Sequence, residues 1–334
     1  MIFGCAGPEL DLDERAFFAH VNPLGFILFK RNCESPAQLA DLVAALRDTV
    51  GRPEAPVLID QEGGRVARLG PPRWRAAPAA RAFALIAGAD PARAGEAARL
   101  NARLMAAELA DAGIDVDCAP VLDVPVEGAH DIIGDRAHGA DPATVAALGQ
   151  AVCEGLLAGG VLPVIKHVPG HGRARADSHV ELPRVDAPID ELRRTDFAPF
   201  RALAHMPWAM TAHVLYGAID RTRAASVSPV VIDRVIRGDI GFTGFLVSDD
   251  ICMKALSGTE ADRAAAVIAA GCDAALHCSG KLADMRPVAD AVAPLTRAAA
   301  ERFARAHAMK HPPEPLDRAA AAARLADMLG AVQV

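Results

Sequence analysis

Short apolar runs alternate with longer amphipathic stretches along nearly the whole chain. The runs are Met1–Ala6, Gly25–Lys30, Ala55–Asp60, Asp115–Val124, Val161–Val168, Trp208–Val214, Gly244–Asp249 and Asp273–Ser279. Runs of this length, ending in polar residues, predict buried β-strands. The alanine-rich stretches between them predict helices, among them Pro36–Thr49, Pro91–Ala112, Pro142–Ala158, Ile189–Ala204 and Thr259–Ala270. Strands that alternate with helices predict a parallel sheet covered by helices.

Eight such runs with intervening helices predict a TIM-type (β/α)8 barrel, an α/β fold whose active site lies at the C-terminal ends of the strands. A doubly wound open sheet is the structural alternative. The tail from Leu282 to Val334, broken by His311-Pro312-Pro313, predicts the last barrel helix and a helical C-terminal extension. Because the chain has no linker, low-complexity segment or repeat, we expect residues 1–334 to form a single barrel domain.

The apolar runs become polar at the same end nearly every time. These ends read Lys30-Arg31-Asn32, Asp60-Gln61-Glu62, Asp123, Lys166-His167, His213, Ser248-Asp249-Asp250 and His277. In a barrel, the carboxyl ends of all strands meet at one mouth. Residues without a shared role would be scattered over both ends of the runs, so this pattern predicts an enzyme.

Composition narrows the class of protein. Of 334 residues, 52% are hydrophobic and 23% charged, which is typical of a globular protein with a buried core. The net charge of −7 disfavours nucleic acid and anionic membranes as partners. With only 4% aromatic residues, we expect a small soluble ligand and not a long polymer. We also expect a monomer.

Two further features point to the cytoplasm. No apolar run reaches about 18 residues, and the N-terminus carries no basic segment before Asp11, so we expect neither a membrane helix nor a signal peptide. The seven cysteines include no CxxC pair and lie mostly in apolar segments, which predicts free thiols and not disulfides or structural zinc. Adjacent residues point apart, so His277-Cys278 is interpreted as buried and not as a metal-binding pair. We expect no metal and no cofactor.

The densest group of titratable residues is Lys166-His167-Val168-Pro169-Gly170-His171-Gly172, followed by Asp177-Ser178-His179. Unpaired charged groups are costly to bury, so packing alone does not explain this segment. Asp177 and His179 are two residues apart and project to the same side of an extended segment. The carboxylate can then bind one ring nitrogen and fix the tautomer. His171 is interpreted as structural, whereas His213 and Tyr216 fit either packing or ligand contact.

Two aspartates at predicted strand ends are candidates for chemistry. Asp249 is a plausible nucleophile or general base, with Asp250 pointing into the barrel wall or toward a backbone amide. Asp60 is followed by two glycines and by Arg65 and Arg68, which supply donors. A single strand-end aspartate fits a helix N-cap about as well. Several that converge on one mouth are a stronger indication.

These motifs resemble those of the bacterial β-N-acetylhexosaminidases of glycoside hydrolase family 3. The resemblance rests on Lys166-His167, Pro169-Gly170-His171-Gly172, Asp177-Ser178-His179, Asp60-Gln61-Glu62-Gly63-Gly64-Arg65 and Ser248-Asp249-Asp250, and spans about residues 1–300 in collinear order. It implies retaining hydrolysis, with Asp249 as the nucleophile and His179, paired with Asp177, as acid and base. Most glycosidases use two carboxylates instead.

The resemblance further implies contacts between sugar hydroxyls and Asp60, Arg68, Arg136, Lys166 and His167. The chain departs from the family at three positions. Val168 and His138 stand where an aromatic residue is common, and Cys252 stands where serine is frequent.

The implied reaction is exo-acting removal of β-linked N-acetylglucosamine from N-acetylglucosaminyl-1,6-anhydro-N-acetylmuramic acid, with or without peptide, in cell-wall recycling. Three alternatives remain open. They are a phosphorylase that uses phosphate in place of water, a Schiff-base lyase with Lys166 as the amine, and a sugar-binding barrel without turnover.

Overall fold

Eight parallel strands close into a barrel in the computed structural model, which describes residues 1–330. The strands are β1 (Ile2–Gly4), β2 (Gly25–Leu28), β3 (Val57–Ile59), β4 (Val116–Asp117), β5 (Leu162–Val168), β6 (Trp208–Thr211), β7 (Phe245–Asp250) and β8 (Ala274–His277). The barrel closes because β1 pairs with β8, with Ile2 opposite Leu276. The predicted TIM-type barrel is therefore confirmed, and the doubly wound open sheet is excluded.

Helices surround the barrel, most of them between successive strands and the last three after β8. They are α1 (Leu12–Val21), α2 (Pro36–Val50), α3 (Ala80–Ala87), α4 (Pro91–Asp111), α5 (Pro142–Ala158), α6 (Ile189–Arg194), α7 (Ala198–Ala202), α8 (Glu260–Ala270), α9 (Leu282–Ala291), α10 (Arg297–His307) and α11 (Arg318–Leu329). A π-helix, Val231–Asp239, takes the helical place between β6 and β7. No helix within residues 1–330 is both long enough and apolar enough to cross a membrane.

Three of these helices begin with the same local signal. In α2, α4 and α5 a proline stands in the first turn, where its missing N–H costs no hydrogen bond. The residue before each proline is Ser35, Asp90 or Asp141, and its side chain accepts a hydrogen bond from a first-turn N–H.

Alternation along the strands separates two hydrophobic clusters. On β7, Phe245 and Val247 belong to the cluster inside the barrel, whereas Leu246 belongs to the cluster between the barrel and its helices. Continuing this alternation turns Asp249 toward the barrel interior at the carboxyl end of the strand. At the opposite end, Phe303 of α10 packs edge-on against the rings of Trp208 and Phe245, with centroids 5.9 and 5.6 Å apart. These contacts cover part of the amino end of the barrel interior.

The structure divides some predicted elements. The helix predicted over Ile189–Ala204 is two short helices, α6 and α7, because Pro199 has no N–H to continue a helix across the break. The run predicted over Asp115–Val124 forms a regular strand only at Val116–Asp117, before Pro120. The tail has a further break between α9 and α10, and its residues 331–334 lie outside the described residues.

Candidate active site

A cavity of about 340 Å³ opens at the carboxyl ends of the strands. Every predicted site residue except Asp177 lines it, namely Asp60, Arg68, Arg136, Lys166, His167, His179 and Asp249. Asp177 binds His179 and so belongs to the same constellation. Residues from strands and loops across the whole sequence are brought together here.

Five charged side chains of alternating sign form one continuous row along the cavity wall, called the charged row below. Arg68 Nη2 lies 2.8 Å from Asp60 Oδ2, and Asp60 Oδ1 lies 2.8 Å from Lys166 Nζ. The same Lys166 Nζ lies 2.7 Å from Glu62 Oε1. Glu62 in turn accepts two hydrogen bonds of 2.8 Å from the Arg136 guanidinium, a bidentate pair. Each carboxylate is thereby held between two cations.

This arrangement keeps Asp60, Glu62 and Lys166 charged. Burial alone would raise the pKa of Asp60 and of Glu62, but the adjacent cations outweigh it and hold both pKa values below their usual range. Burial alone would lower the pKa of Lys166, but Asp60 and Glu62 outweigh it and raise that pKa above its ordinary value. The wall therefore presents fixed donors and acceptors to whatever enters the cavity.

Lys166 and His167 are consecutive on β5, yet both line the cavity. In a regular strand they would face opposite sides. The pairing of β5 with β6 shifts register between Lys166 and Val168, which is the irregularity that allows both to face inward. The His167 ring is then fixed by buried Asp123, whose Oδ2 lies 2.6 Å from Nδ1.

A register shift also lies near the end of β7, between Val247 and Asp250, and both Asp249 and Asp250 line the cavity. Asp250 Oδ1 accepts hydrogen bonds from the N–H groups of Cys252 (3.0 Å) and Cys278 (3.2 Å), in line with the predicted contact to a backbone amide. Burial alone would raise the pKa of Asp249, but the His167 and His213 imidazoles outweigh it and lower that pKa. Asp249 is thus held as a carboxylate.

The loop that carries Asp177 and His179 is anchored at the residue between them. Buried Ser178 places its Oγ 3.3 Å from His171 Nε2, and its carbonyl accepts a hydrogen bond of 3.2 Å from the Ala255 N–H. The Asp177–His179 dyad, on either side of this anchor, is open to solvent. The side chain of His179 is 62% exposed and that of Asp177 25% exposed. Burial alone would raise the pKa of Asp177, but hydrogen bonds from His179 outweigh it and lower that pKa.

Several other singled-out residues support the site, and of these His171 also lines the cavity. Nε2 of buried His213 lies 3.0 Å from the Asp250 carbonyl, and the buried Tyr216 hydroxyl donates to the Gly170 carbonyl. Buried His138 places Nδ1 3.2 Å from the Val121 carbonyl. His171 contacts Ser178, as expected for a structural histidine.

Sequence reasoning did not assign Glu62 and Asp123 to the site. Glu62 connects Lys166 to Arg136, and Asp123 holds His167. Both residues belong to the polar strand ends that predicted the barrel mouth, so the sequence indicated where they lie. The sequence did not indicate their partners, which are more than 40 residues away in the chain.

Comparisons with known proteins identify the family. Residues 9–307 match the model of the glycosyl hydrolase family 3 N terminal domain. The beta-hexosaminidase of Methylococcus capsulatus is 40% identical over 282 residues, 83% of this chain and 82% of that protein. The beta-hexosaminidase of Pseudomonas aeruginosa is 38% identical over 284 residues, 84% of this chain and 82% of that protein.

Solved structures give the same answer. The crystal structure of NagZ from Neisseria gonorrhoeae in complex with N-trifluoroacetyl-D-glucosamine superimposes with a TM-score of 0.87 at 32% identity, covering 99% of this chain and 98% of that one. A family 3 beta-N-acetylglucosaminidase from a Paenibacillus species gives a TM-score of 0.85 at 28% identity, covering 98% of this chain and 66% of that one. The chain belongs to glycosyl hydrolase family 3 and groups there with the bacterial beta-hexosaminidases.

Proposed function

We propose that the protein is a retaining exo-β-N-acetylglucosaminidase. The observation that carries this proposal is that a carboxylate, Asp249, and an imidazole, His179, face the same cavity, with His179 bound by Asp177. A nucleophile and a separate proton donor are what retaining hydrolysis requires. The beta-hexosaminidase relatives, and the relative solved with an N-acylated glucosamine, support N-acetylglucosamine as the sugar.

In the first step, Asp249 attacks the anomeric carbon as the bond to the leaving oxygen breaks. Protonated His179 gives its Nε2 proton to that oxygen, and Asp177 stabilises the imidazolium through Nδ1. In the second step, water attacks the glycosyl-enzyme ester, neutral His179 accepts a proton from the water, and Asp249 is released as a carboxylate. The low pKa of Asp249 favours the ionised nucleophile at neutral pH.

The charged row on the cavity wall offers hydrogen-bond partners to the hydroxyls of a sugar. Lys166, Arg68 and Arg136 supply donors, and Asp60 supplies acceptors. Because these groups already hold one another, they are oriented before substrate arrives, and little reorganisation is needed on binding. His167, whose ring is fixed by Asp123, adds a further contact to the sugar.

We further propose that the leaving group is 1,6-anhydro-N-acetylmuramic acid, with or without peptide, and that the protein acts in the cytoplasm as a monomer. A single chain supplies every residue of the proposed machinery. The seven cysteines are unpaired thiols, which suits a reducing compartment.

The Schiff-base alternative is disfavoured by the surroundings of Lys166. An amine nucleophile must be neutral, usually through a lowered pKa. Here Asp60 and Glu62 raise the pKa of Lys166 despite its burial, so the amine stays protonated.

The test is to incubate the protein with the disaccharide and follow the first anomer released by NMR. Release of the β-anomer of N-acetylglucosamine supports the proposal, and early release of the α-anomer overturns it. Repeating the reaction in phosphate separates the phosphorylase alternative, which would yield N-acetylglucosamine 1-phosphate. Binding without turnover would indicate a sugar-binding protein.

A further inference from the structure

Three metal-ligating side chains meet beside the active-site cavity. Cys252 lies in the turn after β7, Glu260 is the first residue of α8, and His277 is the last residue of β8. Their ligand atoms, a thiol sulfur, a carboxylate oxygen and a ring nitrogen, all lie within 4.8 Å of one another. His277 Nε2 and Glu260 Oε2 are 2.7 Å apart and form a hydrogen bond.

This set of donors fits a particular class of ion. A tetrahedral zinc ion bound at roughly 2.0–2.3 Å holds its ligand atoms about 3–4 Å apart. A bound ion would therefore replace the hydrogen bond between His277 and Glu260 and widen that separation. Thiolate together with imidazole selects zinc-like ions over magnesium or calcium, which prefer oxygen ligands. We propose that Cys252, Glu260 and His277 form a binding site for a divalent cation of the zinc class, with water as the fourth ligand.

The local charge also favours a cation. Within residues 1–330, the ion-pair partner of Glu260 is His277, and the carboxylate of neighbouring Asp250 forms no ion pair. The nearby Arg263 guanidinium is directed instead at backbone, donating to the carbonyls of Ile251 and Met253. Two carboxylates and a thiol therefore lie together with one imidazole to balance them.

The cluster combines a rigid base with an entry path. His277 is fully buried, so its ring is fixed by packing, including an edge-on contact with Phe3 at 5.7 Å. The Glu260 side chain is 29% exposed and Cys252 is half-buried, so an ion can reach the donors from solvent.

Because of where the cluster lies, a bound ion would affect the barrel mouth. Cys252 donates its N–H to Asp250 Oδ1, next to Asp249, and its side chain would share the ion with α8 and β8. An ion would thus tie together the turn that follows Asp249 and the two elements after it. The site is separate from Asp177 and His179 and stands independently of the proposed reaction.

The test uses the full-length protein, stripped of metal and kept reduced, and titrated with Co²⁺ as a spectroscopic substitute for Zn²⁺. A thiolate ligand produces a sulfur-to-cobalt charge-transfer band in the near ultraviolet. We expect one equivalent of this band, its loss on addition of Zn²⁺, and a higher melting temperature in excess Zn²⁺.

Cys252→Ser and His277→Gln should abolish the band, whereas Cys33→Ser, at a half-buried thiol elsewhere, should retain it. His179→Ala should also retain it, which excludes an ion bound only at the loop dyad. Absence of the band in the unmodified protein, or its persistence in Cys252→Ser, would show that the cluster is only an ion pair beside a chance thiol. Circular dichroism establishes that each variant is folded, and Cys252→Ala serves as a second variant at that position.

Discussion

Asp177 Oδ1 accepts two hydrogen bonds from His179, one from its backbone N–H and one from its ring Nδ1, each of 2.8 Å. The second bond fixes the proton on Nδ1 and leaves Nε2 as the atom that gains and loses a proton. Because the ring is largely exposed and lines the cavity, Nε2 is free to meet a leaving group there.

The assignment of His179 as the acid predicts a dependence on the leaving group. His179→Ala should slow hydrolysis of an alkyl N-acetylglucosaminide by roughly 10²–10⁴-fold. It should slow a 4-nitrophenyl glycoside much less, since that leaving group needs little protonation. The measurement is kcat/KM for both substrates, with exposed His20→Ala as the control. Equal losses on the two substrates would count against His179 as the proton donor.

The assignment of Asp249 as the nucleophile predicts a larger and more uniform effect. Asp249→Ala should lower kcat by at least about 10³-fold on both substrates, because the glycosyl-enzyme can no longer form. Asp233→Ala, at an exposed carboxylate of the π-helix, should leave kcat unchanged. Near-normal turnover by Asp249→Ala would remove it from the mechanism.

Glu62 connects two cations of the charged row, Lys166 and Arg136, and its side chain is only 6% exposed. Glu62→Gln keeps the shape but leaves Lys166 and Arg136 short of one negative charge. Breaking a buried pair of this kind should lower the free energy of unfolding on the order of 3 kcal/mol. It should also raise KM for an aryl N-acetylglucosaminide. Denaturant unfolding and steady-state kinetics measure these effects, with exposed Glu9→Gln as the control. Unchanged stability would mean that the charged row does not stabilise the cavity wall.

Buried histidines predict a loss of stability in mild acid. Burial lowers the pKa of His138 and of His171 to about 4, whereas an unfolded histidine titrates near about 6.5. Between these values the unfolded chain binds more protons than the folded one, so stability is present above about pH 6.5 and is lost as the pH falls toward about 4. The slope should reach up to about 1.4 kcal/mol per pH unit for each histidine.

Urea unfolding at pH 7 and pH 5 measures this slope. His138→Phe, which removes one buried titrating ring, should unfold with a shallower pH dependence than the unmodified protein. His20→Phe, at an exposed position, should not change it. An identical slope in His138→Phe would show that His138 is not the source of the acid sensitivity.

The sequence by itself determined the architecture and which polar residues meet at the mouth. The alternation of apolar runs and helices predicted the barrel, because burying each strand and each helix face leaves few other arrangements. The spacing of Asp177 and His179 predicted their hydrogen bond, because two residues in one short segment are close whatever the rest of the chain does. Asp249 was found for the same local reason, as the polar end of an apolar run.

Tertiary structure alone decided which distant groups became partners. Glu62 and Arg136 are 74 residues apart, and Asp123 and His167 are 44 apart, so their contacts exist only once the barrel closes in register. The same closure brings Cys252 to His277, whereas the sequence offered only the adjacent His277-Cys278 pair. Local pattern specifies which way a side chain faces, but the register between strands specifies what it meets.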